Sequence, residues 1–134
     1  MDFNTQIIDE FRANEGRVGG PFEGAPLLLL HTTGARTGNK YISPVMYLAD
    51  QGRYLVFASK AGADTNPAWY HNLKAHPETN IEVGARTVKV RAEELHGEER
   101  DTFYDQQATL YPGFREYEQK TSRVIPVVAL IPVD

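Results

Sequence analysis

A chain of 134 residues with 18 acidic against 14 basic side chains, net charge −4 at pH 7, is long enough to bury one core and too short for two domains. The acidic balance argues against general nucleic-acid binding, which needs a broad basic footprint. The absence of cysteine excludes disulfides, thiolate nucleophiles and cysteine-ligated metals, so redox chemistry would need a borrowed cofactor.

The first dozen residues place Phe3, Ile7, Ile8 and Phe11 on one side of a helix and Asp2, Asn4, Asp9, Glu10 and Arg12 elsewhere, the pattern of a helix that covers its own core. A weak peripheral contact at the inner face of a membrane is the alternative. It is disfavoured because surface-seeking helices carry a lysine- and arginine-rich polar face. No apolar run is long enough to span a bilayer and no basic-then-apolar leader occurs, so the expected location is cytoplasmic. Four glycines and Pro21 in residues 16–24 read as a loop into the first strand. The expected organisation is therefore a single domain, with helix and loop over residues 1–24 and a barrel with helices over 25–134.

Apolar stretches predict strands at residues 26–33, 40–49 and 53–59, the last two joined by a tight turn at Asp50-Gln51-Gly52. Asn66 is the expected N-cap and Pro67 the first residue of a short helix that stops before Pro77. A second hairpin is expected at 79–83 and 87–95, with Val88, Val90 and Ala92 alternating against Lys89, Arg91 and Glu93. The acidic start Glu98-Glu99-Arg100-Asp101 opens a helix over 97–111. A short turn over 114–120 then leads to a near-continuous apolar strand at 124–133, broken or edged by Pro126 and Pro132. Consecutive strands with three or four helices favour a small closed antiparallel barrel over an alternating parallel sheet.

Chemistry concentrates in three stretches. Thr32-Thr33-Gly34-Ala35-Arg36-Thr37-Gly38-Asn39-Lys40 sits between two strands, and its glycines, hydroxyls and cations suit an anionic group; an ordinary surface hairpin is the bland reading. Residues 58–77 add Ser59 and Lys60 next to a helix N-terminus bearing Trp69 and Tyr70, a second rim with donors for an anion. Core filling is the alternative role of the two aromatics. In Tyr111-Pro112-Gly113-Phe114-Arg115-Glu116-Tyr117 the aromatics recur every third residue, as an aromatic wall for a flat substrate or as core filler.

Other chemistries find no footing. The glycine spacing at 34–40 is not that of a P-loop, and no dinucleotide fingerprint occurs. His31, His71, His76 and His96 lie at no metal-ligand spacing, and no serine sits in a nucleophile elbow. Glu93-Glu94 and Glu98-Glu99 read as surface carboxylates.

Taken in order, T-T-G-A-R-T-G, A-S-K-A-G-x-x-x-N-P-x-W-Y-x-N-L-x-A-x-P and Y-P-G-F-x-x-Y resemble the deazaflavin-dependent nitroreductase family, over about residues 27–132. The resemblance implies a split β-barrel related to flavin-binding oxidases, mainly antiparallel with flanking helices. It also implies coenzyme F420, whose tail carries phosphate, lactate and polyglutamate. By position, Ala35, Arg36 and Thr37 correspond to the loop at the cofactor's phosphate, and Tyr41, Ile42, Ser43, Pro44, Val45 and Met46 to the strand beneath it. Phe57, Ala58, Ser59 and Lys60 match the segment holding ring and tail. Ala68, Trp69, Tyr70, His71 and Asn72 match the helix start on the other side, and Tyr111, Phe114 and Tyr117 the substrate wall.

Three positions depart from the family. Members that reduce bicyclic nitroimidazoles have tyrosine at Phe114 and an aromatic at Met46, so cofactor binding is expected while nitroimidazole reduction is in doubt. An arginine expected at Tyr41 has Lys40 as its replacement in role. The implied function is hydride transfer from reduced F420 to a flat, electron-poor small molecule such as a quinone, an enone or lactone, or a nitroaromatic. Ser59, Tyr111 and Tyr117 are the catalytic candidates, Met46 joins the aromatic wall in acceptor binding, and no metal is called for. A non-catalytic deazaflavin carrier and an FMN-dependent relative are the alternatives.

Overall fold

The computed structural model describes residues 3–22 and 24–133; Asp2 and the Phe3 side chain, assigned above to the first helix, lie outside what it describes. Six strands close into one barrel: β1 (Leu27–Thr33), β2 (Lys40–Asp50), β3 (Arg53–Phe57), β4 (Glu78–Val83), β5 (Arg86–Leu95) and β6 (Val127–Pro132). Their order around the wall is β1-β2-β3-β6-β5-β4, with β4 returning to β1. Every pairing is antiparallel. Closure through the β1–β4 pairing gives every strand among the described residues a neighbour on both sides.

The apolar runs of β1 and β6 follow from being covered twice. Leu28 and Leu30 of β1 and Val128 and Leu130 of β6 fill the barrel with Val56, Ile81 and Val90. Leu27 and Leu29 turn outward to Ile7, Phe11 and Val18, while Val127 and Ala129 face Tyr104, Ala108 and Phe114. Helix α1 (Phe3–Ala13) thus spends its apolar stripe on the barrel, with Ile7 at 5% and Phe11 at 1% exposure. Between β2 and β3, Gln51 (φ 47°) and Gly52 (φ 86°) both adopt the left-handed conformation required by the primed two-residue turns that match strand twist.

Polar ties hold α1 to the wall. Arg12 donates from Nε to Glu82 Oε1 at 3.0 Å and from Nη2 to Oε2 at 2.8 Å, and His31 Nε2 lies 2.7 Å from the same Oε2. Hydrogen bonding from Arg12, aided by His31, holds the Glu82 carboxyl below its ordinary range.

Four expectations are corrected. Residues 113–120 form a helix, α4 (Gly113–Lys120), not a turn, directly after α3 (Gly97–Leu110). Strand β6 begins at Val127 because Pro126 has no N–H to add to the ladder; its carbonyl instead accepts Ala58 N at 2.9 Å. Asn66 does not cap α2 (Ala68–Ala75): Pro67 holds the cap position without a side-chain bond, and Asn66 Oδ1 accepts from Arg123. Glu94 and Glu99 are not merely solvated carboxylates. Glu94 Oε1 accepts the Tyr70 hydroxyl at 2.7 Å and Glu99 pairs with Arg53.

Candidate functional site

Strands β1 and β2 deliver the glycine-rich turn to one end of the barrel, where α2 faces it. Gly34 N donates to Asn39 O at 2.8 Å and Gly38 N to Gly34 O at 3.0 Å, so the turn is closed on its own backbone. A Cβ at Gly34 would stand 2.7 Å from Thr37 Oγ1 and 3.1 Å from Tyr41 Cε2; only glycine leaves that approach open. Asn72, 8% exposed, ties turn to helix. Its Oδ1 accepts Ala35 N at 3.0 Å and its Nδ2 donates to Thr32 Oγ1 at 3.2 Å. Between them lies a groove of about 650 Å³ lined by Ala35, Arg36, Thr37, Tyr41, Ser43, Ala68, Trp69, His71 and Asn72, with Thr32 and Gly34.

A second hollow, about 230 Å³, shares Trp69 with the groove. Val45, Met46, Phe57, Phe114 and Tyr117 supply its apolar and aromatic lining, and Ser59, Lys60, Ala61 and Pro67 its loop side. Its aromatics pack edge to face, Phe57 with Phe114 at 5.8 Å and Phe114 with Tyr117 at 5.2 Å between ring centres. Tyr104, buried under them, donates its hydroxyl to Phe114 O at 2.7 Å and pins α4 to α3; burial raises its pKa. Of the family departures, Met46 and Phe114 fall on this hollow and Tyr41 on the groove.

Ser59 is right-handed (φ −73°, ψ −39°) and Lys60 and Ala61 left-handed (φ 47° and 53°). A right-then-left pair turns successive N–H groups into one concavity, an anion nest. The turn's own bonds run from Gly62 N to Ser59 O at 2.9 Å and from Ala63 N to Lys60 O at 3.1 Å. The N–H groups of Ser59, Lys60 and Ala61 find no acceptor among the described residues. Left-handed backbone at two non-glycine residues costs on the order of 1–3 kcal/mol each and persists where its surroundings enforce it. Helix α4 packs closely against the end of this turn, where a Cβ on Gly62 would meet Lys120 Cβ at 2.9 Å and Tyr117 O at 3.0 Å.

Several residues singled out in the sequence stand elsewhere. Ile42 packs on the α1 cluster and Ala58 is fully buried. Tyr70 lies in the barrel core, bonded to Glu94, and burial with that carboxylate raises its pKa. Tyr111 packs on the outer cluster instead of lining the hollow. Neither cavity is lined by Pro44, nor by Lys40, whose Nζ donates to Thr33 Oγ1 at 2.8 Å. One residue escaped sequence reasoning altogether. Arg123 binds the loop after β3 through four bonds, described below, and a lone cation after an unremarkable Thr121-Ser122 carries no local signal of such a role.

Both cavities share an electrostatic character: Arg36 and Lys60 line them, and among the described residues no carboxylate does. Fold and site together define a closed-barrel protein with a donor-lined groove running into an aromatic hollow. The family model for F420H(2)-dependent quinone reductase matches residues 5–132, and the chain belongs to that family. An F420H(2)-dependent quinone reductase of Mycobacterium tuberculosis is 39% identical over 127 residues, which cover 90% of this chain and 83% of the relative. Among solved structures, an F420-H2 dependent reductase (FDR-A) superposes with a TM-score of 0.71 at 39% identity, covering 78% of this chain and 93% of that one. A structure described as a domain-swapped dimer gives 0.73 at 36% identity, covering 94% and 92%.

Proposed function

We propose that this protein is an F420-dependent reductase that passes a hydride from reduced coenzyme F420 to a quinone-type acceptor. One observation carries the reading: in a chain with net charge −4, the linings of the groove and the hollow contain cations, hydroxyls and free backbone N–H groups and, among the described residues, not one carboxylate. Such a donor set fits a cofactor with a polyanionic tail, and the shared Trp69 joins the tail groove to the aromatic hollow. Bound there, reduced F420 supplies the hydride.

The chain's own groups orient and stabilise. Arg36 and Thr37, whose backbone N–H groups find no acceptor among the described residues, hold the anionic tail, and Lys60, tethered to Thr65 Oγ1 at 3.2 Å, adds a cation from the rim of the hollow. Phe57, Phe114 and Tyr117 clamp a flat acceptor and exclude water from one of its faces. Negative charge that develops on the acceptor's oxygen meets the free N–H groups at Ser59, Lys60 and Ala61, the Ser59 hydroxyl and the Tyr117 hydroxyl. A hydroxyl or solvent then returns the proton. Titration of the protein side by side with oxidised F420 and with FMN tests the reading, with F420 expected to bind much the more tightly. Equal or better binding of FMN would contradict it and point to the flavin-dependent alternative.

A further inference from the structure

Arg123, between α4 and β6, spends its guanidinium on the loop that follows β3. Its Nη1 donates to Ala58 O at 3.0 Å and to Asn66 Oδ1 at 2.7 Å, its Nη2 to Ser59 O at 2.7 Å and its Nε to Ala63 O at 2.7 Å. Among the described residues no carboxylate pairs with it. It does not line the hollow; it grips the loop from behind.

Two of the gripped carbonyls belong to informative peptide units. Ala58 C=O and Ser59 N–H are opposite ends of one peptide, and Ser59 C=O and Lys60 N–H of the next. In a planar trans peptide these ends point in opposite directions. Carbonyls held against Arg123 therefore turn the corresponding N–H groups away from it, toward the hollow that Ser59, Lys60 and Ala61 line. A cation on the carbonyl end also polarises the unit and strengthens the N–H as a donor.

We propose that Arg123 is a positioning residue: it aims the Ser59 and Lys60 amides into the acceptor hollow and holds the left-handed Lys60-Ala61 turn against its own strain. The catalytic half of this proposal rests on the hydride-transfer reading above; the conformational half does not. Arg123→Lys keeps the charge but loses the forked geometry, and Arg123→Ala removes both. Amide exchange in the protein without ligand, read at Gly62 and Ala63, reports the turn directly and is expected to quicken by about tenfold or more in both variants.

With reduced F420 and a soluble benzoquinone, kcat of Arg123→Lys is expected to fall by roughly 10- to 100-fold, the size of a misaimed donor, with the quinone KM nearly unchanged. Guanidinium ion added to Arg123→Ala should restore part of the turnover. Unchanged exchange at Gly62 and Ala63 in Arg123→Lys would overturn the proposal, as would a lower melting temperature with kcat intact. If wild-type protein transferred no hydride from reduced F420, the functional reading would fall. The exchange measurement would still decide whether Arg123 holds the turn.

Discussion

Arg36 and Lys60 reach the site from different loops, one after β1 and one after β3, and neither has a carboxylate partner among the described residues. Replacing either by alanine is expected to weaken F420 binding by about 1.5–3 kcal/mol, the range for hydrogen bonds to charged groups, and to flatten its salt dependence. Fluorescence titration at two ionic strengths checks this, and unchanged dissociation constants would reduce both to solvated surface charges. Tyr117 lines the aromatic hollow together with Lys60. Tyr117→Phe keeps the ring that packs on Phe114 and removes a hydroxyl from the hollow, so F420 affinity should hold while quinone turnover falls. Steady-state rates beside a binding titration separate the two effects; a loss of affinity instead would move Tyr117 to the cofactor side.

At the scale of elements, the glycine-rich turn, both tight hairpins and the doubly covered strands were legible in the sequence because their signals are local: glycine where φ is positive, apolar runs where both faces are buried. Helix α4 was missed because Pro112-Gly113 reads as a breaker, although proline just before a helix is compatible with its start. Asn66 has the chemistry of a cap and was claimed by Arg123, 57 residues away. Glu94, on a strand with one wet face, was claimed by Tyr70 across 24 residues. Pairing at such separations leaves no periodicity to read. Of the candidate site, the residues on the two turns and the start of α2 were readable from motif order, whereas the tilt of Tyr70 and Ile42 into packed clusters needed the barrel.

The tie between α1 and the wall gives a prediction at the same scale. Because the Glu82 carboxyl is held below its ordinary range by Arg12 and His31, its contribution to stability is present above the unfolded value and disappears as pH falls through the lowered folded one. Glu82→Gln should therefore destabilise the protein by about 1 kcal/mol near neutral pH, as expected for a partly exposed ion pair. The gap between variant and wild type should close in acid below about pH 4, near the reference range for a glutamate. Denaturant melts at both pH values measure it. A gap that is as large in acid would show that Glu82 acts through packing and not through charge.

Across the whole molecule, division of labour follows from the topology. The closed barrel carries the loops, the turn after β1 and the start of α2 frame the donor-lined groove, and the loop after β3 with α4 frames the aromatic hollow. No helix among the described residues is long and apolar enough to cross a membrane, and the apolar stripe of α1 is spent on the barrel. Hydride transfer from F420 to a quinone is open to a direct single-turnover experiment. Stoichiometric reduced F420 is mixed with the protein and a benzoquinone under anaerobic conditions, and the return of the oxidised deazaflavin's absorbance is followed. Oxidation is expected to run many times faster than in the protein-free control and to be slowed by Tyr117→Phe. Oxidation at the control rate, with F420 nonetheless bound, would contradict it and leave a deazaflavin carrier.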